Sequence, residues 1–398
     1  MGKIKVNAMV AQSGGPTSAI NATLCGVING SVGNFSKLYG AKNGIAGLIE
    51  DRICDLNYLF NNERELSLLE KTPGATLGSC RMRLPNRLDS FVYERIFHIF
   101  DKYDVGCFFY IGGNDSMDTV AKLSEYSRKN CRGVSIIGIP KTIDNDLVLT
   151  DHTPGYGSSA KLVATSISEL WLDVSSYKLP SVTIVELMGR DTGWLGCACA
   201  LPYYCFGYGC SLVYLPESNF SLDRFLGDTE KELRYGGPVL LGVCEGVNFG
   251  ARGDGQDTFG HKNLSGVGKA LETEIKRNLK CKARCVELNL IQRCASHCAS
   301  LTDITESKKI GFESVKMALS GESGKMSAFV RRDGEYGVDV ISVEAHLVAN
   351  KIKCVPREFI SRDKNFVTEK AIEYLSPLII GESNACYDRG VPCHFKLK

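Results

Sequence analysis

Short runs of β-branched and apolar residues recur along this chain, and each run is followed by a glycine-rich or polar turn and then by a stretch with helical character. Strands that alternate with helices are typical of parallel-rich sheets of the doubly wound α/β class. At 398 residues the chain is long enough for two domains, each with its own core. Gly253–Gly260 is predicted to be an exposed loop. Predicted strands are Ile4–Val10, Val105–Ile111, Val134–Ile139, Val182–Leu187, Val239–Val243 and Cys285–Ile291.

The balance of charge limits the partners that the chain can have. Its formal net charge is only +2, which gives no electrostatic basis for nucleic acid as the main partner, so any anion site must be built locally. No apolar run approaches the roughly 18 residues that a membrane span requires, and no hydrophobic segment with a cleavage site opens the sequence. We therefore expect a cytoplasmic enzyme that acts on small molecules, without a membrane or nucleic-acid partner.

The chain is rich in cysteine. Its 17 cysteines are scattered through predicted strands and helices, which favours reduced and mostly buried thiols over a disulfide framework. Cys281, Cys285, Cys294 and Cys298 form the densest group, with His297 beside it. Their C-x3-C spacing lacks the C-x2-C knuckle of structural zinc sites, so the sequence disfavours a metal site there.

Ligands of open parallel sheets bind beyond the carboxyl ends of the strands, where the loops converge. The first such loop, Ser13–Ser18, has two glycines that let backbone N–H groups turn toward an anion, and Thr17 or Ser18 is predicted to cap the helix that follows. A second loop, Thr72–Arg83, is rich in Gly, Ser and Thr and ends in arginines, a combination that suits phosphate. A plain strand–helix turn and a solvated basic turn are the alternatives.

The third loop, Gly112–Ser116, follows a predicted strand and opens a helix predicted to run to about Tyr126. Two glycines followed by oxygen-bearing side chains at the start of a helix suit a phosphate group, and Asn114 and Asp115 have oxygen atoms that could assist Mg2+ directly or through water. Capping of the helix by Asp115 or Ser116 is the alternative. The two roles are compatible.

The fourth loop is the most informative. Pro140–Asp146 contains a lysine, a hydroxyl group and two carboxylates at the end of a predicted strand. An exposed acidic turn would leave Lys141 and Thr142 without a role. Phosphoryl transfer requires a carboxylate to accept the hydroxyl proton, cations to neutralise the transferring group, and a metal ion. This segment could supply the first two and help to bind the third.

Three further strand ends add charged side chains. Arg190 follows one predicted strand, Glu245 follows another, and Arg284 and Arg293 flank a third. Arginine suits a phosphate ester, and glutamate suits the hydroxyl groups of a sugar. Each of these residues alone is more often a surface charge, but together they indicate a site for a polyhydroxy phosphate ester.

Taken together, these segments resemble the phosphofructokinase family over roughly residues 4 to 350. The combination of PKTIDND with MGR is highly specific to this family, whereas SGG or CEG alone would be weak evidence of membership. The resemblance implies two similar doubly wound, Rossmann-like domains with the active site in the cleft between them, and a Mg2+-dependent transfer of phosphate to the C1 hydroxyl of fructose 6-phosphate. The motifs in the order and at the spacing of the family are SGGPTSAIN, LGSCR, GGNDS, PKTIDND, MGRDTGW, CEG and IQR.

The resemblance also implies how the chain is divided. Residues 1–155 and 292–350 would form the phosphoryl-donor domain, and residues 156–291 and 351–398 would form the fructose 6-phosphate domain. The chain would cross between the domains more than once. A homodimer is expected, with a tetramer as the alternative.

The roles of individual residues follow from the same resemblance. Asp144 would be the general base for the sugar hydroxyl, while Asp146 would tune Asp144 and bind the metal ion with Asn114. Lys141, Asp115 and Arg190 are implied to act in catalysis beside Asp144. The residues implied to bind fructose 6-phosphate are Thr142, Asp144, Met188, Gly189, Arg190, Glu245, Arg284 and Arg293, with Arg284 coming from the neighbouring subunit. The residues implied to bind the phosphoryl donor are Gly14, Gly15, Arg81, Gly113, Asp115, Ser116 and Lys141.

Two positions indicate which donor is used. Members of the family that use ATP have glycine where this chain has Lys141 and Asp115, and the glycines leave room for the α-phosphate of the nucleotide. Here a cation reaches into that space and a carboxylate fills and repels it. The chain therefore resembles the pyrophosphate-dependent branch. The alternatives are an ATP-dependent sugar-phosphate kinase and a non-catalytic regulatory subunit, although a regulatory subunit is expected to have lost Asp144.

Several positions depart from the family pattern. Asn114 stands where many members have aspartate, which weakens the case for direct contact with Mg2+. Leu290 replaces a His or Tyr that often reaches the sugar phosphate, and Ser181 replaces an arginine of regulated bacterial members. Two effector-binding arginines of those regulated members correspond to Cys25 and Asn29, so the sequence predicts no control by ADP or phosphoenolpyruvate.

Overall fold

The computed structural model describes residues 6–60, 62–248 and 266–397. The predicted loop Gly253–Gly260 and the start of the predicted strand Ile4–Val10 lie outside these ranges. The strands, in chain order, are β1 (Asn7–Gln12), β2 (Leu38–Ala41), β3 (Ile53–Asp55), β4 (Val105–Gly112), β5 (Ser135–Pro140), β6 (Ser181–Leu187), β7 (Leu212–Tyr214), β8 (Pro238–Cys244), β9 (Lys282–Glu287), β10 (Lys325–Arg331), β11 (Val338–Glu344), β12 (Tyr387–Asp388) and β13 (Val391–Pro392).

Helices separate most of these strands. The α-helices are α1 (Ile20–Ser31), α2 (Gly44–Ile49), α3 (Leu56–Leu59), α4 (Glu63–Glu70), α5 (Phe91–Lys102), α6 (Asn114–Lys129), α7 (Tyr156–Ser175), α8 (Trp194–Cys197), α9 (Leu201–Phe206), α10 (Leu222–Leu233), α11 (Val267–Asn278), α12 (Ile291–Cys294), α13 (Leu301–Leu319), α14 (Ala345–Val348) and α15 (Glu369–Leu375). Short 3-10 helices are Ala198–Ala200, Pro216–Ser218, Ser296–Cys298, Arg357–Phe359 and Ser376–Ile379. No helix among the described residues combines the length and apolar character needed to cross a membrane.

Two main sheets organise the fold. The first has seven strands in the order β11-β10-β5-β4-β1-β2-β3, and the second has four strands in the order β7-β8-β6-β9. Every pair in the second sheet is parallel, and in the first sheet only the outer strands β3 and β11 pair in the antiparallel sense. The parallel-rich, doubly wound α/β architecture predicted from the sequence is therefore confirmed.

Two separate parts of the chain form the first sheet. Five of its strands come from residues 7–140, and β10 and β11 return to it after the second sheet is complete. Sequentially distant segments thus meet at one edge of the sheet. Helices α1 and α13 pack against each other at close range, since a Cβ atom on Gly26 of α1 would lie only 2.1 Å from the carbonyl oxygen of Lys308 of α13.

The central strands agree with the sequence because they are buried on both faces and consist mostly of apolar residues. The predicted strands that begin at Val105, Val134, Val182 and Val239 are β4, β5, β6 and β8, with ends shifted by one residue at most. Such continuous apolar runs are typical of parallel strands covered by helices on both sides. In β4, for example, six consecutive residues from Cys107 to Gly112 are buried.

The predicted strand Cys285–Ile291 is wrong in position. The strand is β9, Lys282–Glu287, and Ile291 begins helix α12. Within the described part of the chain, β9 is the edge strand of the second sheet and pairs only with β6, so charged residues such as Lys282 and Arg284 occupy its exposed positions. The apolar residues after Glu287 belong to the turn into α12, where Leu290 is 57% exposed.

Candidate active site

Loops from both sheets meet in one cleft of about 290 Å³. The loops that follow β1, β4 and β5 contribute from the first sheet, and the loop that follows β6 contributes from the second. Most of the predicted site residues lie on its wall. These are Gly14, Gly15, Arg81, Gly113, Asn114, Asp115, Ser116, Lys141, Thr142, Asp144, Asp146, Gly189 and Arg190.

Lys141 places a cation against the first glycine-rich loop. Its backbone N–H donates to the carbonyl oxygen of Gly112 at 2.9 Å, and its ammonium group donates to the carbonyl oxygen of Gly15 at 2.6 Å. The residue is only 2% exposed. Burial lowers the pKa of Lys141 to about 8, although the charges of Asp144 and Asp146 oppose this change.

Asp144 and Asp146 lie on the same segment and share the cleft. Their carboxyl groups are mostly removed from water, and this burial raises the pKa of both. The pKa of Asp146 reaches about 7 because the charge of Asp144 adds to the effect of burial. For Asp144, the guanidinium of Arg190 and the hydroxyl of Thr142 act in the opposite direction. The Arg190 Nε atom is 4.0 Å from Asp144 Oδ2.

Arg190 is held by Glu245 in an uncommon backbone conformation. Its φ is +52°, in the left-handed region that side chains rarely occupy. Oε1 of Glu245 accepts the backbone N–H of Arg190 at 2.9 Å and that of Gly189 at 3.3 Å. Burial raises the pKa of Glu245 to about 7, and the Arg190 N–H lowers it in part. Glu245 therefore shapes the cleft wall without being one of the residues that line it.

Asp115 and Ser116 lie in the first turn of helix α6, which begins at Asn114, but do not cap it. The N-cap residue is Gly113, which has no side chain to accept a hydrogen bond, so the alternative of capping by Asp115 or Ser116 is wrong. Asp115 forms an ion pair with Arg83 at 2.8 Å. The hydroxyl of Ser116 packs on Gly112, where a Cβ atom would lie only 1.9 Å from it.

The first helix also lacks the predicted cap. Its N-cap residue is Ala19, without a side-chain hydrogen bond. Thr17 Oγ1 accepts the backbone N–H of Ala19 at 3.3 Å rather than an N–H of the helix itself. The prediction that Thr17 or Ser18 caps α1 is wrong, because Ala19 lies between them and the first residue of the helix and is itself the N-cap residue.

Both ends of the Asn114 side-chain amide form hydrogen bonds with a segment that is distant in sequence. Its Nδ2 donates to the carbonyl oxygen of Lys351, and its Oδ1 accepts the backbone N–H of Asn350. An aspartate could not make the first of these bonds, because a carboxylate has no donor. The replacement of aspartate by Asn114 thus coincides with a contact that only the amide can form.

Four predicted sugar-binding residues do not line the cleft: Met188, Glu245, Arg284 and Arg293. Arg293 nevertheless lies beside it, since a Cβ atom on Gly15 would be 3.0 Å from Nη1 of Arg293. Its Nε is buried without a hydrogen-bond partner in the described structure. Arg284 is exposed on the edge strand β9, away from this cleft.

The structure adds residues to the cleft that the predicted site did not include. Gln292 does not line the cleft but supports it from behind, since it is 2% exposed and its Oε1 accepts the backbone N–H of Met188 at 2.9 Å; the IQR motif was the available signal for it. Asn350 and Ile352 follow a short helix far along the chain and carry no sequence signal. The further lining residues are Ser13, Cys80, Met82, Arg83, Asp191, Thr192, Asn350 and Ile352.

All seventeen cysteines are free, including those of the group from Cys281 to Cys298. Cys285 has two carboxylates near it, from Glu186 and Glu287. Both oxygens of Glu186 already accept backbone N–H groups, from Gly266 at 2.8 Å and Gly268 at 2.7 Å. This carboxylate therefore caps the start of α11.

The geometry defines a class of enzyme. Buried carboxylates next to a lysine and several arginines, at the carboxyl ends of parallel strands, provide a proton acceptor and cations for a transferring anionic group. Glycine-rich loops at helix starts add backbone donors for phosphate oxygens. A phosphoryl-transfer enzyme needs this combination.

Comparison with known proteins gives the family. The family model described as phosphofructokinase matches residues 7–318. A pyrophosphate–fructose 6-phosphate 1-phosphotransferase of Halomonas elongata is 37% identical and matches over 98% of this chain and 96% of its own. The solved structure of a pyrophosphate-dependent phosphofructokinase from Nitrosospira multiformis has a TM-score of 0.89 at 33% identity, covering 99% and 97% of the two chains. The corresponding structure from Marinobacter aquaeolei has a TM-score of 0.87 at 34% identity, covering 98% and 95%. The chain belongs to the phosphofructokinase family.

Proposed function

We propose that this chain catalyses the reversible transfer of a phosphoryl group from pyrophosphate to the C1 hydroxyl of D-fructose 6-phosphate, giving fructose 1,6-bisphosphate and phosphate. The observation that carries the proposal is the buried Lys141 ammonium against the Gly15 carbonyl, in the same cleft as the Asp115 carboxylate. The name and the near-complete coverage of the Halomonas elongata relative support the same reaction.

On the donor side, the cations and glycine-rich loops of the cleft suit the short and highly charged pyrophosphate. Lys141 and Arg81 neutralise its negative charge, and the loops that contain Gly14, Gly15, Gly113 and Ser116 present backbone N–H groups to its oxygens. The Asp115 carboxylate, which forms an ion pair with Arg83, would lie where a longer donor continues. This carboxylate repels an additional phosphate of a nucleotide.

On the acceptor side, Asp144 takes the proton of the C1 hydroxyl. A general base works best with a pKa near the working pH, and burial raises the pKa of Asp144 toward that range. Arg190 stabilises the charge that develops on the transferring group, and the Thr142 hydroxyl contacts the sugar. The backbone N–H of Asp144 donates to Thr142 Oγ1 at 3.1 Å, which orients this hydroxyl.

The remaining sugar contacts come from the second sheet and its surroundings. Met188 and Gly189 contribute backbone atoms, and Glu245 accepts sugar hydroxyls. Arg293, whose buried Nε lacks a partner among the described residues, binds the 6-phosphate. In this proposal residues 1–155 and 292–350 form the donor domain, while residues 156–291 and 351–398 form the sugar domain.

The residues present fit a magnesium ion. Asp144 and Asp146 are hard oxygen ligands, and the charge of Asp144 raises the pKa of Asp146, so a divalent cation would relieve the repulsion between the two carboxylates. Asp146 would hold the ion, with Asp144 near it. We do not assign it to Asn114, whose amide holds residues 350 and 351. When bound, Mg2+ neutralises charge on the phosphoryl oxygens.

Assembly and location complete the proposal. A homodimer would allow the exposed Arg284 of β9 to reach the 6-phosphate in the neighbouring subunit's cleft. Light scattering of the purified protein tests this, since a monomer with full activity would contradict it. The free cysteines suit the reducing cytoplasm, where disulfides are rare.

The decisive experiment is a steady-state assay of purified protein with fructose 6-phosphate and either pyrophosphate or ATP, in which fructose 1,6-bisphosphate is measured. We expect kcat/KM to favour pyrophosphate by at least about 100-fold. The Asp144→Asn protein, prepared in the same way, controls for contaminating host enzyme. Equal or better use of ATP would establish an ATP-dependent kinase instead, and no turnover with either donor would favour a regulatory subunit.

A further inference from the structure

Residues 350–353 form a part of the cleft wall to which the sequence assigns no role. The amide of Asn114 holds the backbone at the start of this segment. At its end, the backbone N–H of Lys353 donates to the carbonyl oxygen of Asp146 at 2.7 Å, and Nε1 of Trp194 donates to the carbonyl oxygen of Lys353 at 2.8 Å. The segment therefore joins the start of α6, the loop after β5 and the start of α8.

The side chain of Lys353 is fixed as firmly as its backbone. Its ammonium group donates to Oδ1 of Asn145 at 3.3 Å and to the carbonyl oxygens of Thr150 and Asp151 at 3.1 and 2.8 Å. It also lies 5.0 Å from the ring centroid of Trp194. An ammonium group has three N–H donors, so each donor has an acceptor here. A buried cation requires such partners, and together they fix its position.

Asn145 connects Lys353 with the proposed catalytic carboxylates. It lies between Asp144 and Asp146, is 0% exposed and has a φ of +52°. Its Nδ2 donates to the hydroxyl oxygen of Tyr374 at 2.9 Å. A left-handed conformation persists where the surroundings determine it, and Lys353 and Tyr374 provide those surroundings through the two ends of the amide.

We propose that Lys353 is a positioning residue for the transfer reaction, which through Asn145 and the backbone of Asp146 fixes how the Asp144 and Asp146 carboxylates face the cleft. This inference rests on the proposed function, because it requires Asp144 to act as the base.

A lysine at this position could instead serve only the stability of the fold. Lys353→Met keeps an unbranched side chain over Trp194 but leaves three oxygen acceptors without their donor, so some loss of stability is expected in either case. The two roles differ in their kinetics. A purely structural role reduces the amount of folded enzyme, whereas a positioning role lowers kcat of the folded fraction with little change in KM.

The test is steady-state kinetics of Lys353→Met well below its unfolding temperature, with the folded fraction measured by circular dichroism. We expect kcat to fall about 10- to 100-fold, because a displacement of about 1 Å costs this much, and both KM values to stay within about threefold of those of the unmodified enzyme. Lys370→Met, in an exposed lysine of α15, is the matched control and should leave kcat unchanged. If the folded Lys353→Met enzyme has the same kcat as the unmodified enzyme, the proposal is overturned.

Two further variants test the contacts of Asn145 with Lys353 and Tyr374 and keep the positive charge of Lys353. Asn145→Gly keeps a backbone that tolerates positive φ, and Tyr374→Phe removes one hydroxyl; both should lower kcat. Adding Lys353→Met to Asn145→Gly should lower kcat little beyond the more severe single variant, because the two act through one contact. Losses that multiply would show that Lys353 does not act through Asn145. If Lys353→Met does not fold, the proposal is overturned when Asn145→Gly and Tyr374→Phe both have the same kcat as the unmodified enzyme.

The unmodified enzyme is assayed first with pyrophosphate and fructose 6-phosphate. If it shows no turnover, the proposed function itself fails. If it turns over and the variants of Lys353, Asn145 and Tyr374 keep its kcat, the function stands and only the positioning role of Lys353 is rejected.

Discussion

The ammonium nitrogen of Lys141 lies 2.6 Å from the carbonyl oxygen of Gly15. This contact joins the end of β5 to the loop after β1, so the cation lies between two strand ends of the first sheet. Gly14 has a φ of +76°, which disfavours a side chain there, and a Cβ atom would also lie 3.1 Å from the same nitrogen. Because one N–H donor of the ammonium group is used on Gly15, others remain for an anion in the cleft.

Asp144→Asn should lower kcat by about 100- to 10,000-fold while the KM values change little, because the amide cannot accept the proton of the sugar hydroxyl. The amide retains nearly the same shape, so substrate binding should persist. Steady-state kinetics in both directions measure the effect. Asp363→Asn, in an exposed carboxylate of a distant turn, is the matched control. A variant of Asp144 that keeps a tenth or more of the unmodified kcat would refute its role as the base.

Glu245→Gln should raise the stability of the protein at pH 8. Burial raises the pKa of Glu245 from 4.5 to about 7 in the folded state, so the folded protein holds a proton between these pH values that the unfolded chain has lost. This contribution is present in full below pH 4.5 and is lost as the pH rises through 7. Removing the charge should therefore stabilise the protein at pH 8, by on the order of 2 kcal/mol.

The measurement for Glu245→Gln is thermal or urea unfolding of both proteins between pH 5 and pH 8. The advantage of the variant should shrink toward pH 5, where Glu245 of the unmodified protein is itself protonated. Glu358→Gln, in an exposed glutamate, should give no such trend. A constant difference across this range would contradict a raised pKa at Glu245.

Much of the site could be predicted because its chemistry lies in short contiguous segments at strand ends. The segment that contains Lys141, Asp144 and Asp146 directly follows β5, and the Gly112–Ser116 loop directly joins β4 to α6. Neighbouring parallel strands end at the same edge of a sheet, so these loops must converge. Because β4 and β5 are hydrogen-bonded neighbours, their loops lie side by side.

The rest depended on contacts that no local pattern encodes. Asn114 and Asn350 are 236 positions apart in the chain, and they meet only because β10 and β11 return to the first sheet. Lys353 reaches Asn145 across 208 positions for the same reason. The position of β9 was predicted wrongly for another reason. An edge strand with one exposed face tolerates charged residues and lacks the apolar run that marks a buried strand.

We predict hyperbolic saturation with fructose 6-phosphate, unaffected by ADP or phosphoenolpyruvate. The positions that correspond to effector-binding arginines are Cys25 and Asn29, neither of which carries a cation for a phosphate group. Cys25 is 2% exposed, and its thiol contacts the carbonyl oxygen of Leu66. Initial rates over a range of fructose 6-phosphate, with and without each effector, test this. A sigmoidal curve that ADP makes hyperbolic would show the prediction to be wrong.

The choice of donor can be tested with a cycle of Asp115→Gly, Lys141→Gly and the double variant. Asp115→Gly alone should admit some ATP at modest cost to pyrophosphate, because it removes bulk and negative charge from the donor end of the cleft. It also removes a carboxylate that forms an ion pair with Arg83, so less negative charge opposes an incoming nucleotide phosphate. The measurement is kcat/KM for both donors in all four proteins.

Lys141→Gly tests the second half of the same argument. Its ammonium group is buried against Gly15 and in the proposed reaction would face the charge that develops during transfer, so its loss should cost about 3 kcal/mol or more of transition-state stabilisation with pyrophosphate. The double variant should then prefer ATP or lose much of its preference, because exclusion and stabilisation have both been removed. If Lys141→Gly leaves pyrophosphate turnover intact, or if Asp115→Gly leaves ATP as poor a donor as before, other residues determine the donor.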